Sequence, residues 1–319
     1  MLKTHLTIWE LVRIAIMEKA RFLRAECEAN VIVSAPELMK NQHIIVQNGG
    51  KEMPVNDNLG TRMKTYYEQV PKYRLMRRTP VAIRIDGKAF HTFTRGFAKP
   101  FDERLGKAMV RTMQYLCQNI QGCVFGYTQS DEITLLLVDY QTLETDAWFD
   151  YEVQKICSIA ASMATMAFNR YFADEVEQWH FDHISFPGEF GCDAIDPQDE
   201  KLNSAYLKAL ASGAMFDARC FNIPKEEACN LVYWRQLDAT RNSIQMVGQA
   251  NFSHNELQGK SCNDIQDMLH EQRGINWNDF PIRWKRGVAW TKAIGVDIQM
   301  PILKGNDRKY VDDLIFVGG

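Results

Sequence analysis

Two short segments of the chain combine carboxylates with residues suited to phosphate binding. The first is Arg84-Ile85-Asp86-Gly87-Lys88-Ala89-Phe90-His91, and the second is Gln129-Ser130-Asp131-Glu132. Each segment sets an aspartate beside an apolar run of strand length. Carboxylate oxygens are the ligands that Mg²⁺ prefers, and Mg²⁺ commonly binds together with a nucleoside triphosphate. The two segments therefore indicate nucleotidyl chemistry.

Asp86, Asp131 and the main-chain carbonyl of Gly87 are the candidate metal ligands. Two aspartates that bridge a pair of Mg²⁺ ions activate an oxygen nucleophile, neutralise a leaving phosphate and hold both in line. Gly87 has no side chain, which leaves space for a metal or a phosphate beside the main chain. Asp86-Gly87 alone is equally typical of a turn after a strand, so a metal site is favoured only because a second carboxylate accompanies it.

Residues around the two aspartates are candidates for binding and catalysis. Lys88, His91 and Lys99 provide positive charge or donors for a polyphosphate tail. Aromatic residues adjoin His91 in the sequence, so a structural histidine is an equal alternative. Glu132 is either a catalytic carboxylate beside Asp131 or an acid at a solvated hairpin corner.

The apolar pattern predicts the elements that must position these groups. In chain order they are a strand from Val81 to Ile85, a helix from about Asp102 to Ile120, a hairpin with arms Val124 to Tyr127 and Ile133 to Val138, a helix over roughly Trp148 to Phe172, and a strand from Ala214 to Ile223. This β-α-β-β-α-β order is typical of an α+β, ferredoxin-like fold, in which the first and third strands are neighbours. Asp86 and Asp131 are therefore expected in a single site.

The chain is predicted to contain three regions. Residues 1–52 form an N-terminal appendage and linker, with helical apolar spacing over residues 7–29 and a weakly patterned stretch after it. Residues 53–223 form the catalytic domain. Residues 224–319 form a helical and C-terminal region that packs on that domain, beginning with a helix from Lys225 to about Phe252.

Composition is that of a globular protein, with 319 residues, 46% hydrophobic residues and a formal net charge of −3. Charge is unevenly distributed, because residues 72–111 carry eleven Lys and Arg against three acids while residues 139–200 carry fourteen acids against two bases. This distribution predicts one face that attracts phosphate and another that repels it. The eight cysteines contain no CxxC pair, which argues against zinc and disulfide frameworks and favours the cytoplasm. Neither a signal peptide nor a membrane span is indicated.

The motifs resemble the tRNA-His guanylyltransferases and the tRNA-His guanylyltransferase-like proteins, with the bacterial and phage-type branch the most similar. The resemblance covers about residues 58–287 and rests on the two segments above together with Gly96-Phe97-Ala98-Lys99-Pro100, Asp102-Glu103-Arg104, Phe216-Asp217-Ala218-Arg219 and Trp234-Arg235-Gln236. It implies a palm domain like that of polymerases and nucleotide cyclases, with two Mg²⁺ ions on Asp86, Gly87 and Asp131.

The same resemblance implies an activity and its partners. Family members activate the 5′ end of a tRNA with ATP or GTP, release pyrophosphate and add nucleotides in the 3′-to-5′ direction. The residues from Asp86 to His91, including Ala89 and Phe90, would line the nucleotide site together with Ser130 and Asp131. Family members are generally homotetramers, which implies an oligomer here.

RNA contacts are predicted at basic and amide side chains. Arg77-Arg78 and the run Arg283-Trp284-Lys285-Arg286 combine cations with an aromatic ring, which suits RNA phosphates or a stacked base, although a solvated surface is slightly favoured for such runs. The resemblance adds Lys155 and Asn242. It also shows departures from the eukaryotic enzymes, because Thr240 stands where those enzymes have a histidine and Asp150, Tyr151 and Glu152 replace a basic cluster.

Two other functions remain open. A nucleotide cyclase of the same fold uses the same two aspartates but needs no RNA surface, so the basic segment from Lys72 to Arg111 argues against it. A cyclic product from GTP alone would favour it. An inactive RNA-binding module needs no paired metal carboxylates.

Removal of residues 1–52 is expected to leave nucleotide addition largely unchanged, because the chemistry-bearing motifs all lie after this region. The measurement is the rate of addition to an RNA 5′ end by the truncated and full-length proteins. A truncated protein that is folded but inactive would show that residues 1–52 take part in function.

Overall fold

The computed structural model describes residues 58–184 and 196–316. The chain divides into two units, residues 1–61 and 62–319, and the second contains both motif segments. The predicted appendage, with its helical spacing over residues 7–29, lies outside the described residues.

The described residues form a six-stranded sheet and ten α-helices. The strands are β1 (Val81–Gly87), β2 (Cys123–Gln129), β3 (Glu132–Leu137), β4 (Phe216–Asn222), β5 (Val288–Thr291) and β6 (Gly295–Asp297). The helices are α1 (Asn58–Met63), α2 (Phe90–Phe93), α3 (Glu103–Asn119), α4 (Val153–Ile184), α5 (Pro197–Ser212), α6 (Lys225–Asn251), α7 (His254–Leu257), α8 (Cys262–Arg273), α9 (Ile282–Arg286) and α10 (Lys309–Ile315).

The strand order is β4-β1-β3-β2-β5-β6, and every pairing is antiparallel. The first four strands have the ferredoxin-like arrangement, which confirms the predicted α+β fold and the adjacency of the first and third strands. The C-terminal region does more than add helices, because β5 pairs with β2 and extends the sheet.

The sheet separates two apolar cores, as the alternation of side chains along β1 requires. Ile83 and Ile85 enter the core beneath α3 and α4, where they are buried with Met113 and Phe168. Ala82 enters the core on the opposite side, which α6 and α10 cover. The polar residues of β1 that follow Ala82 on this second side are Arg84 and Asp86, so the candidate site lies on the side of α6.

Two boundaries differ from the sequence prediction. The helix predicted from Trp148 begins at Val153, because three consecutive residues before it have left-handed backbone angles with φ of 51°, 51° and 54°. It then continues to Ile184, beyond the predicted end at Phe172. Helix α5 was not predicted, and its contribution to the core is small, with Tyr206 and Ala209 as its buried residues.

Asp102 ties the start of α3 to α5 and to the preceding loop. Its carboxylate accepts hydrogen bonds from the amide of Leu105 at 3.0 Å, the amide of Ala98 at 3.1 Å and the hydroxyl of Tyr206 at 2.6 Å. Asp102 is only 5% exposed. It is thus an N-cap whose loss leaves several buried donors without a partner.

Asp102→Ala is expected to lower the free energy of unfolding by about 3 kcal/mol, because it removes a buried carboxylate with three donors. The matched control is Asp196→Ala, since Asp196 is an exposed N-cap that accepts one amide hydrogen bond from Gln198. Its expected loss is about 1 kcal/mol. Urea unfolding measures both, and equal losses would show that the buried hydrogen bonds add nothing.

Candidate active site

Strand pairing brings the two predicted motif segments together. The tight turn Ser130-Asp131 joins β2 to β3, and β1 ends beside it. The amide of Gly87 donates a hydrogen bond to the main-chain carbonyl of Asp131 at 3.1 Å. This bond fixes the ends of the two segments against each other, so Asp86 and Asp131 lie at the same corner of the sheet.

Acidic side chains form a row across three strands at this corner. Asp86 of β1 is directly opposite Glu132 of β3 and Asp217 of β4. Residues opposite each other in antiparallel strands share one face of the sheet, so the three carboxylates are neighbours. Such a row of like charges is unfavourable unless cations accompany it.

Asp131 experiences this negative charge directly. Burial raises its pKa, and the charges of Asp86 and Glu132 raise it further, although a hydrogen bond donated by the Ser130 hydroxyl at 3.0 Å acts in the opposite direction. Ser130 itself has a left-handed backbone with φ of 50°, as a tight turn requires. Burial is the larger cause of the raised pKa, and a cation between Asp86 and Asp131 would relieve the smaller part that comes from repulsion.

The described residues contain no cluster of three or more His, Cys, Asp or Glu suited to a metal ion. The candidate set is therefore two carboxylates and the Gly87 carbonyl. This set fits Mg²⁺, which usually takes one or two carboxylates and completes its shell with water and substrate phosphates.

The turn after Asp86 is held by an aromatic cluster. Phe90 is buried and its ring lies 5.2 Å from the ring of Phe216 and 5.5 Å from that of Phe168. A Cβ atom at Gly87 would come within 2.3 Å of the Phe90 ring. Glycine is thus required at position 87 by the packing of Phe90, and the space predicted for a phosphate is filled on that side by an aromatic ring.

The polar members of this turn point to solvent. Lys88 and His91 are exposed, as is Lys99 farther along the chain, so His91 is not a histidine packed among aromatic rings. The Lys88 amide donates to the carbonyl of Met215 at 2.9 Å, which fixes the turn to the start of β4. Ala89 has a left-handed backbone with φ of 54°.

Glu132 is neither solvated nor free. It forms ion pairs with Arg235 of α6 at 2.6 Å and with Arg84 of β1 at 3.5 Å. Arg235 also pairs with Asp238 at 2.7 Å, and its side chain is only 5% exposed. The guanidinium groups of both arginines lie over the ring of Trp234. Glu132 therefore anchors α6 to the sheet next to the candidate metal ligands.

Sequence reasoning did not assign a role to Arg84, Arg235, Asp217 or Arg219. The sequence did mark Arg235, Asp217 and Arg219, because they belong to the motifs Trp234-Arg235-Gln236 and Phe216-Asp217-Ala218-Arg219. What was missing was the register, which aligns Asp217 with Asp86 and Arg219 with Arg84.

The basic and acidic segments of the chain pair with each other. Arg77 contacts Asp139 at 2.8 Å, and Arg111 contacts Asp174 and Glu175 at 2.9 Å each. Further pairs of the same kind are Lys72 with Glu152, Arg74 with Asp150 and Lys107 with Glu175. The expectation of separate attracting and repelling faces is therefore wrong for these residues, whose charges neutralise one another.

The predicted RNA-binding residues differ in accessibility. Lys155 is exposed and lies over the ring of Phe149. Arg78 directs its guanidinium to the carbonyl of Leu143 at 3.3 Å, while the Arg77 guanidinium is held by Asp139.

The other predicted RNA contacts are engaged within the protein. Asn242 donates to Asp238 at 3.3 Å, and Arg283 pairs with Glu103 at 2.6 Å. Lys285 is buried, donates to the carbonyl of Asn278, and has a pKa lowered by burial and by the charge of Arg286. Thr240, at the position of the eukaryotic histidine, donates to the carbonyl of Lys285 at 3.0 Å. This side of α6 serves to pack α9.

Residues 60–224 match the sequence profile of the family described as tRNAHis guanylyltransferase (Thg1). The chain belongs to this family. The match contains both motif segments and the row of carboxylates, and it makes the protein a nucleotidyltransferase of tRNA processing.

Individual relatives agree with the family assignment. A bacterial Thg1-like protein solved in complex with ATP is 40% identical with a TM-score of 0.66, and the match covers 81% of this chain and 99% of that one. A bacterial Thg1-like protein solved with GTP is 37% identical with a TM-score of 0.61, over 82% and 100% of the two chains. The tRNA(His) guanylyltransferase of Kluyveromyces lactis is 26% identical over 263 residues, which are 77% of this chain and 97% of that protein.

Similarity to the bacterial Thg1-like proteins confirms the branch predicted from the departures at Thr240 and Glu152. In the part of the chain that the structure describes, no helix has the length and apolar character needed to cross a bilayer.

Asp131→Asn is expected to stabilise the metal-free protein at neutral pH. The raised pKa means that the Asp131 carboxylate is less favourable in the folded protein than in the unfolded chain, so it lowers stability above that pKa. This destabilisation declines as the pH falls below the raised pKa and is gone below the ordinary pKa of an aspartate, where both states are protonated. Thermal unfolding in chelator should give a higher midpoint for the variant at pH 7 and equal midpoints near about pH 3.

Asp264→Asn is the matched control with the opposite sign. The Ser261 amide and hydroxyl lower the pKa of Asp264 in a capping box at the start of α8. Its carboxylate therefore stabilises the fold at neutral pH, and the asparagine variant should melt earlier than wild type. A lower midpoint for Asp131→Asn as well would contradict the electrostatic account of the site.

Proposed function

We propose that the protein is a Mg²⁺-dependent enzyme that adds nucleotides in the 3′-to-5′ direction to the 5′ end of a tRNA, with Asp86, Gly87 and Asp131 as metal ligands. The observation that carries this proposal is the contact between the two motif segments, made by the hydrogen bond from the Gly87 amide to the Asp131 carbonyl. Two Mg²⁺ ions held there would neutralise phosphate charge and activate the attacking oxygen.

The proposed reaction has two steps. In the first, an oxygen of the RNA 5′-phosphate attacks the α-phosphorus of ATP or GTP, and pyrophosphate leaves. In the second, the 3′-hydroxyl of the incoming nucleotide attacks the activated 5′-phosphorus, and the nucleoside monophosphate leaves. Both steps displace a phosphate from phosphorus, so a single carboxylate pair can serve both.

The side chains around the turn supply the remaining functions. Lys88 and His91 are exposed beside Asp86 in the turn, and we include the exposed Lys99 as a further cation for a triphosphate. Ser130 restrains the Asp131 carboxylate through its hydroxyl. Glu132, included among the catalytic residues, acts by holding Arg84 and Arg235 in place. The nucleotide site proposed here thus spans Asp86 to His91 with Ser130 and Asp131.

The RNA surface is proposed from accessibility. Lys155 and Arg78 are the predicted contacts whose side chains reach solvent without a carboxylate partner in the described residues. Arg77, Asn242 and Arg283 would each have to exchange an internal partner for RNA.

The basic segment of residues 72–111 is largely neutralised by internal ion pairs, so it no longer argues against a nucleotide cyclase. The preference for an RNA substrate therefore rests on the family. A homotetramer and a cytoplasmic location complete the proposal.

The assay that tests the function offers 5′-truncated and full-length tRNAs with all four labelled nucleotides. Each RNA is prepared with and without a pairing base opposite the missing position. Addition only where a pairing base exists would indicate template-directed repair, and addition of guanosine to one full-length tRNA would indicate a dedicated enzyme. A cyclic product from GTP without RNA would instead favour the cyclase.

Asp86→Asn and Asp131→Asn are each expected to reduce nucleotide addition by at least about a hundredfold, since each removes a proposed metal ligand worth several kcal/mol. Asp267→Asn is the control, because Asp267 is an exposed carboxylate on α8. Its rate should equal that of wild type. Full activity in both site variants would exclude the metal assignment.

A further inference from the structure

Arg219 lies between two carboxylates of the acidic row. One terminal nitrogen of its guanidinium is 3.1 Å from Asp217 and 3.8 Å from Asp86. All three side chains are substantially exposed, with Asp86 at 40%. Arg219 and Asp217 are two residues apart on β4, so both project from the same face of the sheet as Asp86.

Arg219 is the cation that faces Asp86 in the described part of the chain. The other arginines of this face are engaged elsewhere, since Arg84 and Arg235 pair with Glu132 and lie over Trp234. Asp86 has Arg219 as its ion-pair partner among the described residues. The charge that balances Asp86 therefore comes from a residue of the edge strand.

A guanidinium group and a divalent ion compete for the same carboxylate oxygens. An exposed ion pair contributes little to stability, so Mg²⁺ at Asp86 would displace Arg219 readily. Asp217 makes this displacement easier, because it holds the same nitrogen at a shorter distance than Asp86 does. Without Asp217, the guanidinium would have Asp86 as its remaining partner in this row.

We infer that Asp217 is a positioning residue that draws Arg219 away from Asp86 and thereby sets the affinity of the site for a divalent ion. This inference rests on the proposed metal site. Asp217 acts through Arg219 and is not itself a ligand, since its strand β4 lies on the opposite side of β1 from the Asp131 turn.

A double-mutant cycle tests the inference with Mn²⁺ as the probe, its binding to the full-length protein measured by electron paramagnetic resonance without nucleotide or RNA. Asp217→Asn is expected to weaken Mn²⁺ binding about two- to fivefold, because Arg219 then pairs with Asp86. Arg219→Gln is expected to strengthen binding by a similar factor. In the Arg219→Gln background, Asp217→Asn should weaken Mn²⁺ binding by a smaller factor than in wild type, because only the general effect of its charge remains.

The double variant distinguishes an effect of Asp217 through Arg219 from the general effect of its negative charge on cation binding. Removing one negative charge near a cation site weakens binding by itself, and this general effect would be the same whether or not Arg219 is present. An equal loss on Asp217→Asn in the wild-type and Arg219→Gln backgrounds would therefore overturn the inference. So would wild-type affinity in Asp217→Asn.

Asp86→Asn distinguishes failure of the inference from failure of the proposed function. Loss of Mn²⁺ binding in Asp86→Asn, together with an additive cycle, would leave the metal site standing and overturn the role of Asp217. Wild-type binding in Asp86→Asn and in Asp131→Asn would overturn both. Circular dichroism of every variant checks that the exposed substitutions leave the fold intact.

Discussion

The antiparallel register of β1 between β3 and β4 is the constraint on which the rest of the site depends. It sets Asp86 opposite Glu132 and Asp217, and it ends where the Gly87 amide meets the Asp131 carbonyl. A shift of one residue would turn every side chain of β1 to the opposite face and bury Asp86 beneath α3 and α4. The apolar residues Ile83 and Ile85 prevent such a shift because they fill that core. The packing of apolar residues on one face of β1 thus holds the candidate metal ligand Asp86 on the other face.

The same register places several carboxylates next to one another, and the surrounding arginines neutralise part of this negative charge. Glu132 is neutralised by Arg84 and Arg235, and the latter is buried, so this part of the row is permanently balanced. Among the described residues Asp131 has no ion-pair partner, and its pKa is raised by burial and by the neighbouring carboxylates. The imbalance is therefore concentrated where a divalent ion is proposed to bind, which favours cation binding over protonation at neutral pH. Gly87 has both a packing role and a proposed chemical role. The Phe90 ring leaves no space for a side chain at this residue, and its main-chain carbonyl is a proposed metal ligand.

The sequence was sufficient for the order and adjacency of the first four strands, because these follow from patterns along the chain, but it assigned no role to Arg84, Arg235, Asp217 or Arg219. Periodicity identifies elements longer than one or two turns, and β-α-β-β-α-β order then specifies which strands are adjacent. The short strands β5 and β6 gave no pattern, and the turn before α4 depends on three left-handed residues that no apolar spacing reveals. Helix α5 packs mainly through Tyr206 and Ala209, too few buried residues for a periodic signal.

Charge was where sequence reasoning failed, and the reason is physical. The excess of cations over residues 72–111 was read as a surface for phosphate, yet these cations meet acids from residues 139–200 across the fold. Charge counted along a chain reports a field only when opposite charges lie more than about a Debye length apart, roughly 8 Å in physiological salt. Lys88, two residues after Asp86, is among the positive groups that have no ion pair in the described chain. Neutralisation elsewhere in the segment thus leaves an unpaired cation beside the place where a triphosphate is proposed to bind.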